Sequence, residues 1–294
     1  MRERFYAMLH HHTYRVLALR TLIHVRDWEG ASPPILFLHS ITANSLLALT
    51  LGELISPHRR LIAPDLRGRG KSDAPAGDYG PTLHVREMIA LMDALRVEKF
   101  VIAGHSFGAM LSVLIAAQYP DRVTGLILFD GGAPPDSLAT MALNAYYNSL
   151  QYRYPSVEAY LDRFQQSPLY QPWTESLEQL VRSNLYREPD GSYIRSVGRY
   201  VLDAERTPEN MAVWASLPDL YPHIACPVLI LRAGMGVIGA ADPALPDEAI
   251  ALMRAQMPQA QVVTIPEAAH TSLMTIPSPL RDQSLLRFLG INRP

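Results

Sequence analysis

FVIAGHSFGAM, residues 100–110, sets a short apolar run against a serine framed by glycines. Phe100–Ala103 has the length and continuity of a strand buried on both faces. Gly104-His105-Ser106-Phe107-Gly108 follows at once, and a helical pattern, Met110–Gln118, opens directly after it. A serine on so tight a strand-to-helix turn sits in strained backbone and projects above the sheet. Glycines two residues before and after it let the flanking chain pass without Cβ clashes. The helix starting beside it aims backbone N–H groups at any oxyanion formed there. Ser106 is therefore the expected nucleophile. The alternative is a glycine-rich turn with a serine that only caps the helix.

Outward from this turn, Ile35–Leu38, Leu61–Ala63 and Leu126–Phe129 are also short, continuous and apolar. Helical patterns such as Leu83–Leu95 alternate with them, which predicts an α/β fold with a mostly parallel central sheet flanked by helices. Residues 14–26 suit a first hairpin or pair of strands. After Asp130 the texture changes. Residues 134–222 are helical in pattern and punctuated by proline, and they hold 10 of the 14 tyrosines and two of the three tryptophans. The strand pattern returns at Val228–Leu231. A helix at Asp247–Met257, a strand at Gln261–Ile265 and a helix at Pro279–Leu289 follow, the last ended by Gly290. The expected organisation is a core of residues 1–133 and 223–294, with a helical cap of residues 134–222 inserted after the sixth strand.

Bulk properties narrow the function classes. Hydrophobic residues make up 48% of the 294 and charged residues 18%, so a large core is affordable and disorder is disfavoured. A net charge of −2 offers nothing to nucleic acid or to an anionic membrane surface. The single cysteine, Cys226, rules out an intrachain disulfide and fits a reducing, cytoplasmic setting. No apolar stretch reaches the roughly 18 residues needed to span a bilayer. His10, His11 and His12 lack a closed ligand set, so no metal is expected there.

At Leu38-His39-Ser40-Ile41, at Asp65-Leu66-Arg67-Gly68-Arg69-Gly70-Lys71-Ser72, at Gly104–Gly108 and at Ala269-His270, the chain resembles the α/β-hydrolase superfamily, in its cap-bearing branch of esterases, lactonases and C–C bond hydrolases. These positions match that family's oxyanion loop, its D-x-R-G-x-G-x-S loop, its nucleophile elbow and its terminal histidine segment. They are specific to the superfamily and not to one activity.

His270 lies in a loop just after the last predicted strand, on the sheet edge that carries the elbow, and position and resemblance both make it the base for Ser106. For the acid, the resemblance points to a loop after Val228–Leu231. There Val237 stands where glycine-plus-three spacing expects an aspartate, and Asp242 comes later, 28 residues before His270. Asp130 is the alternative. It ends the strand after the nucleophile helix, where haloalkane dehalogenases and zearalenone-type lactonases carry their acid, 24 residues past the nucleophile as theirs is. Asp242 is preferred. The expected oxyanion donors are the backbone N–H groups of Phe107 and, by resemblance, Ile41, although Ser40 replaces the family's usual glycine. His39 is expected to shape this loop without titrating. Ser40, His105, Trp173 and Trp214 are candidates for substrate contact.

Two other motifs are discounted. Gly234–Gly239 satisfies G-x-G-x-x-G, but Pro243 and Pro246 follow at once and disfavour the helix a dinucleotide site needs. Arg67–Lys71 reads as a structural loop in which Asp65, Arg67 and Asp73 satisfy one another. The implied function is cleavage of a carboxylic ester or lactone of an apolar or aromatic small molecule, without metal or organic cofactor, by a monomer or homodimer. A C–C bond hydrolase of a vinylogous diketone is the second reading, and a ligand-binding receptor on the same scaffold is the third. Amide hydrolysis ranks behind these. Epoxide hydrolase and dehalogenase chemistry are disfavoured, because both use an aspartate nucleophile where Ser106 stands.

Overall fold

The computed structural model describes residues 11–134, 144, 147–167, 170–236 and 243–291. Its centre is an eight-stranded sheet in the order β1-β2-β4-β3-β5-β6-β9-β10. β1 (His11–Ala18) and β2 (Thr21–Trp28) form an antiparallel hairpin, and β2 runs antiparallel to β4 (Leu61–Pro64). From β4 onward the sheet is parallel, through β3 (Ile35–Leu38), β5 (Phe100–His105), β6 (Val123–Phe129), β9 (Val228–Ala233) and β10 (Ala260–Ile265).

Parallel strands covered by helices on both faces are apolar at every position, yet the pleat still sorts their side chains. Leu36, Leu38, Ile102, Leu126, Leu128 and Ile230 join one core with the helices α2 (Pro81–Ala94) and α3 (Phe107–Gln118). Ile35, Phe37, Ala103, Ile127, Phe129 and Leu229 face the other way, onto α1 (Leu49–Ile55) and the C-terminal helix Pro279–Phe288. α3 is buried nearly all round, which explains its lack of a polar stripe.

The topology fixes where a site can form. From β3 the chain crosses to β4 on one side and then returns to β5 on the other. Beyond the carboxyl ends of β3 and β5 the connections therefore diverge and leave a crevice. His39–Ile41 leave β3 there and Ser106 leaves β5.

Two boundaries differ from expectation. β5 runs two residues past Ala103, so His105 belongs to the strand and is buried. Residues between β6 and β9 are not purely helical. Among the described residues they include a two-stranded antiparallel hairpin, β7 (Leu185–Arg187) with β8 (Tyr193–Arg195). Its strands are too short to show an apolar run.

Candidate active site

Ser106 has φ +55° and ψ −114°, a conformation an L-residue adopts only when its surroundings impose it. They do so here through backbone packing. A Cβ on Gly104 would lie 2.2 Å from the Gly108 carbonyl oxygen, and one on Gly108 would lie 2.0 Å from the Leu38 carbonyl oxygen. The glycines thus let α3 start directly against the ends of β5 and β3. The Ser106 N–H donates to the Phe129 carbonyl at 3.0 Å, tying the turn to β6. Phe107 is the first residue of α3, so its N–H has no acceptor within the helix.

His270 lies in the turn after β10. Its Nδ1–H donates to Asp130 Oδ2 at 2.7 Å, which leaves the Nε2 lone pair for a proton acceptor's role. The other Asp130 oxygen accepts from the Ala233 N–H at 3.0 Å. Asp130 is 1% exposed, so its charge faces few competitors for the imidazole. Of the two candidate acids, Asp130 is the one that the described residues bring to His270. Asp242 lies outside the described residues, and the Nδ1 position that an orienting acid must occupy is engaged by Asp130. The glycine-plus-three spacing, which falls on Val237, gives no sign of this contact, because Asp130 directly follows β6 and lies far from that loop in sequence.

Two further histidines brace this arrangement. His105 Nε2–H donates to the His270 carbonyl at 2.9 Å, with the rings 4.5 Å apart. Burial first, and the neighbouring His270 second, push the His105 pKa well below its ordinary value, so it stays neutral. His39 Nδ1–H donates to the Ser40 carbonyl at 2.7 Å, and His39 Nε2 accepts from the Leu66 N–H at 2.9 Å. Complete burial lowers the His39 pKa to about 4, against smaller opposing contributions from Asp65 and the Ser40 carbonyl. His39 therefore shapes the loop without titrating near neutrality, as its position implied.

Ser106, His270 and Asp130 open on one cavity of about 510 Å³. Ser40, Ile41, His105, Phe107 and Trp214 also line it. Trp214 packs edge-on against Phe107 at 5.3 Å. Trp173 does not reach the cavity wall; its indole N–H donates to Glu178 at 3.3 Å on a neighbouring helix. Tyr160, Phe164 and Leu180 supply apolar wall. The sequence reading missed the polar residues between β6 and β9 that reach the cavity: Asn184, Arg195, Glu205 and Arg206. No local pattern marks them, since each lies on an amphipathic or irregular segment whose inward face is set by tertiary packing.

The loop after β4 is structural, though its partners are not the mutual ones expected. Asp65 accepts from the Ser45 N–H, the Lys71 N–H and His24 at 2.6 to 2.8 Å. Arg67 pairs with Glu87 at 3.0 Å, and Asp73 pairs with Arg15. The Gly234 N–H donates to the Ile265 carbonyl, and residues 237–239 of the glycine-rich segment lie outside the described residues. His10 lies outside the described residues. His11 meets Arg26, whereas His12 meets Glu29 at 3.2 Å. Among the described residues no group of three or more His, Cys, Asp or Glu side chains is gathered as a metal site, and no helix is long and apolar enough to cross a membrane.

Known proteins share this architecture. The chain is 28% identical over 265 residues to the 2-(acetamidomethylene)succinate hydrolase of Mesorhizobium japonicum, covering 85% of this chain and 86% of that one. It is 33% identical over 134 residues to a 2-hydroxymuconate semialdehyde hydrolase of a Pseudomonas species, covering 44% and 46% of the two chains. The crystal structure of an E-2-(acetamidomethylene)succinate hydrolase superposes with a TM-score of 0.78 at 26% identity, over 96% of this chain and 100% of that one. The enol-lactonase of Burkholderia xenovorans shares the fold, with a TM-score of 0.71 at 19% identity over 94% and 100%. The sequence profile of the alpha/beta hydrolase fold matches residues 33–277, and the chain belongs to the α/β-hydrolase family.

Proposed function

We propose that this α/β hydrolase cleaves a carboxylic ester or lactone of an apolar or aromatic small molecule through an acyl-enzyme on Ser106. The observation that carries the reading is the Asp130–His270 pair, whose free Nε2 opens on the same cavity as the strained serine. Ser106 Oγ attacks the carbonyl carbon while its proton passes to His270 Nε2. Asp130 holds the ring and stabilises the imidazolium. The oxyanion is met by the N–H groups of Phe107 and Ile41, each contributing roughly 3 kcal/mol. The proton then moves from Nε2 to the departing oxygen. A water deprotonated by the same nitrogen releases the acid and restores the serine.

A second reading is favoured by the buried Arg195 in the cavity wall. The names of two relatives specify carboxylate-bearing compounds, a succinate and a 2-hydroxymuconate semialdehyde. The same residues would cleave the C–C bond of a vinylogous diketone that carries a carboxylate. Hydrolysis of p-nitrophenyl acetate and butyrate tests the reading against a non-catalytic receptor. Wild type is expected to turn over and Ser106→Ala to run at the uncatalysed rate. Equal rates for the two proteins overturn the serine-hydrolase proposal.

A further inference from the structure

Ile41 is fixed on both of its peptide planes. The plane carrying its N–H also carries the Ser40 carbonyl, and His39 holds that carbonyl at 2.7 Å, so the N–H must point the opposite way. The next plane is held by Arg69, whose Nε donates to the Ile41 carbonyl at 2.9 Å. Arg69 is fully buried and has no freedom of its own. One terminal nitrogen donates to the Arg67 carbonyl at 3.0 Å, and the other meets the Glu205 carboxylate at 2.6 Å. The guanidinium also lies 5.7 Å from the ring of Phe107. A single arginine therefore touches both residues assigned to the oxyanion hole.

Glu205 ends the helix Arg199–Glu205, in the segment between β6 and β9. Its carboxylate is 3% exposed and also accepts from His84 Nε2 at 3.1 Å. Burial alone would raise its pKa; the Arg69 charge and the His84 hydrogen bond outweigh that and hold it below the usual range. The acyl-transfer steps above give Glu205 no task, although it lines the cavity.

We infer that Glu205 is a positioning residue: through Arg69 it fastens Ile41, so the oxyanion hole is complete only while the segment bearing Glu205 is in place. With that segment displaced, the His270–Asp130 hydrogen bond is kept but Ile41 loses one of its two anchors. The inference rests on the proposed acyl-enzyme chemistry.

The test compares wild type, Glu205→Gln and Arg69→Lys with p-nitrophenyl butyrate as substrate and an alkyl trifluoromethyl ketone as inhibitor. The ketone binds as a tetrahedral adduct of the serine and so reads the oxyanion hole directly. Arg69→Lys preserves the buried charge pair but removes the Nε donor to Ile41, which keeps the test open if Glu205→Gln does not fold. Both variants are expected to lose about ten- to a hundredfold in kcat with KM within about threefold, and to bind the ketone more weakly by the factor lost in kcat/KM. A lowered Tm with wild-type kcat and ketone affinity would show a merely structural junction and overturn the inference. So would a fall in kcat with unchanged ketone affinity. Ser106→Ala separates the two layers: if it retains wild-type activity, the acyl-enzyme reading itself fails.

Discussion

Asp130 has φ +44°, the left-handed region that asparagine tolerates better than most residues. Asp130→Asn therefore keeps the backbone and removes the charge that the imidazolium needs. Its kcat is expected to fall by about 10⁴-fold, while Asp242→Asn stays within about twofold. Steady-state kinetics on the two purified variants checks this, and the reverse pattern returns the acid to Asp242. His39 yields a second prediction. Its pKa of about 4 in the folded protein lies below the ordinary 6.5. Between those values the unfolded chain binds a proton that the folded chain refuses, so stability falls as the pH drops from 6.5 towards 4. The single group accounts for about 3 kcal/mol across that window. Urea unfolding at pH 7, 6 and 5 should give a shallower acid slope for His39→Gln than for wild type. His105, also held neutral by burial, sustains part of the slope in both proteins. An unchanged slope would exclude His39 as a contributor.

At the scale of elements, the meeting of β3, β5 and α3 depends on backbone approach more than on side-chain packing. A methyl group on Gly108 would sit 2.0 Å from the Leu38 carbonyl oxygen, and neither backbone can retreat without unpairing the sheet. Gly108→Ala is expected to cost about 3 kcal/mol or more, or to prevent folding. Gly125→Ala is the contrast: its new methyl would meet Phe288 at an ordinary 3.5 Å, and its effect should stay within about 1 kcal/mol. Thermal unfolding of the two variants makes the comparison. This junction was legible in the sequence because a buried strand, two glycines and a helix start leave a local signature. The short hairpin β7–β8 was not, since three-residue strands carry no periodicity. Asp130 was only half legible. Its place at a strand end could be read, but whether His270 turned towards it or towards the loop after β9 depended on a contact spanning 140 residues of sequence. The place of Trp173 was not legible, because an aromatic on an amphipathic segment gives no sign of which face meets a cavity.

Across the whole molecule, the cavity lies where the carboxyl ends of β3, β5 and β6 and the turn after β10 meet residues between β6 and β9, which supply much of its apolar wall. Among the described residues that line it, the carboxylates are Asp130, paired with His270, and Glu205, paired with Arg69 and His84. The residues between β6 and β9 add Arg195, 6% exposed with its guanidinium 5.5 Å from the Phe164 ring, and Arg206 nearer the surface. Where an arginine in such a wall contacts the substrate, its charge acts at low effective dielectric and favours a substrate bearing an anion over a neutral one of equal size. Mono-p-nitrophenyl succinate and p-nitrophenyl butyrate share a leaving group and differ at the far end of the acyl chain. The succinate should show the lower KM with wild type. Arg195→Met should raise that KM by about tenfold or more, the scale of one charge-assisted hydrogen bond, and leave the butyrate KM within about threefold. Because methionine fills much of the arginine's apolar volume, a parallel loss on both esters would mean that Arg195 only packs the wall, and the preference for a carboxylate-bearing substrate would have to be abandoned.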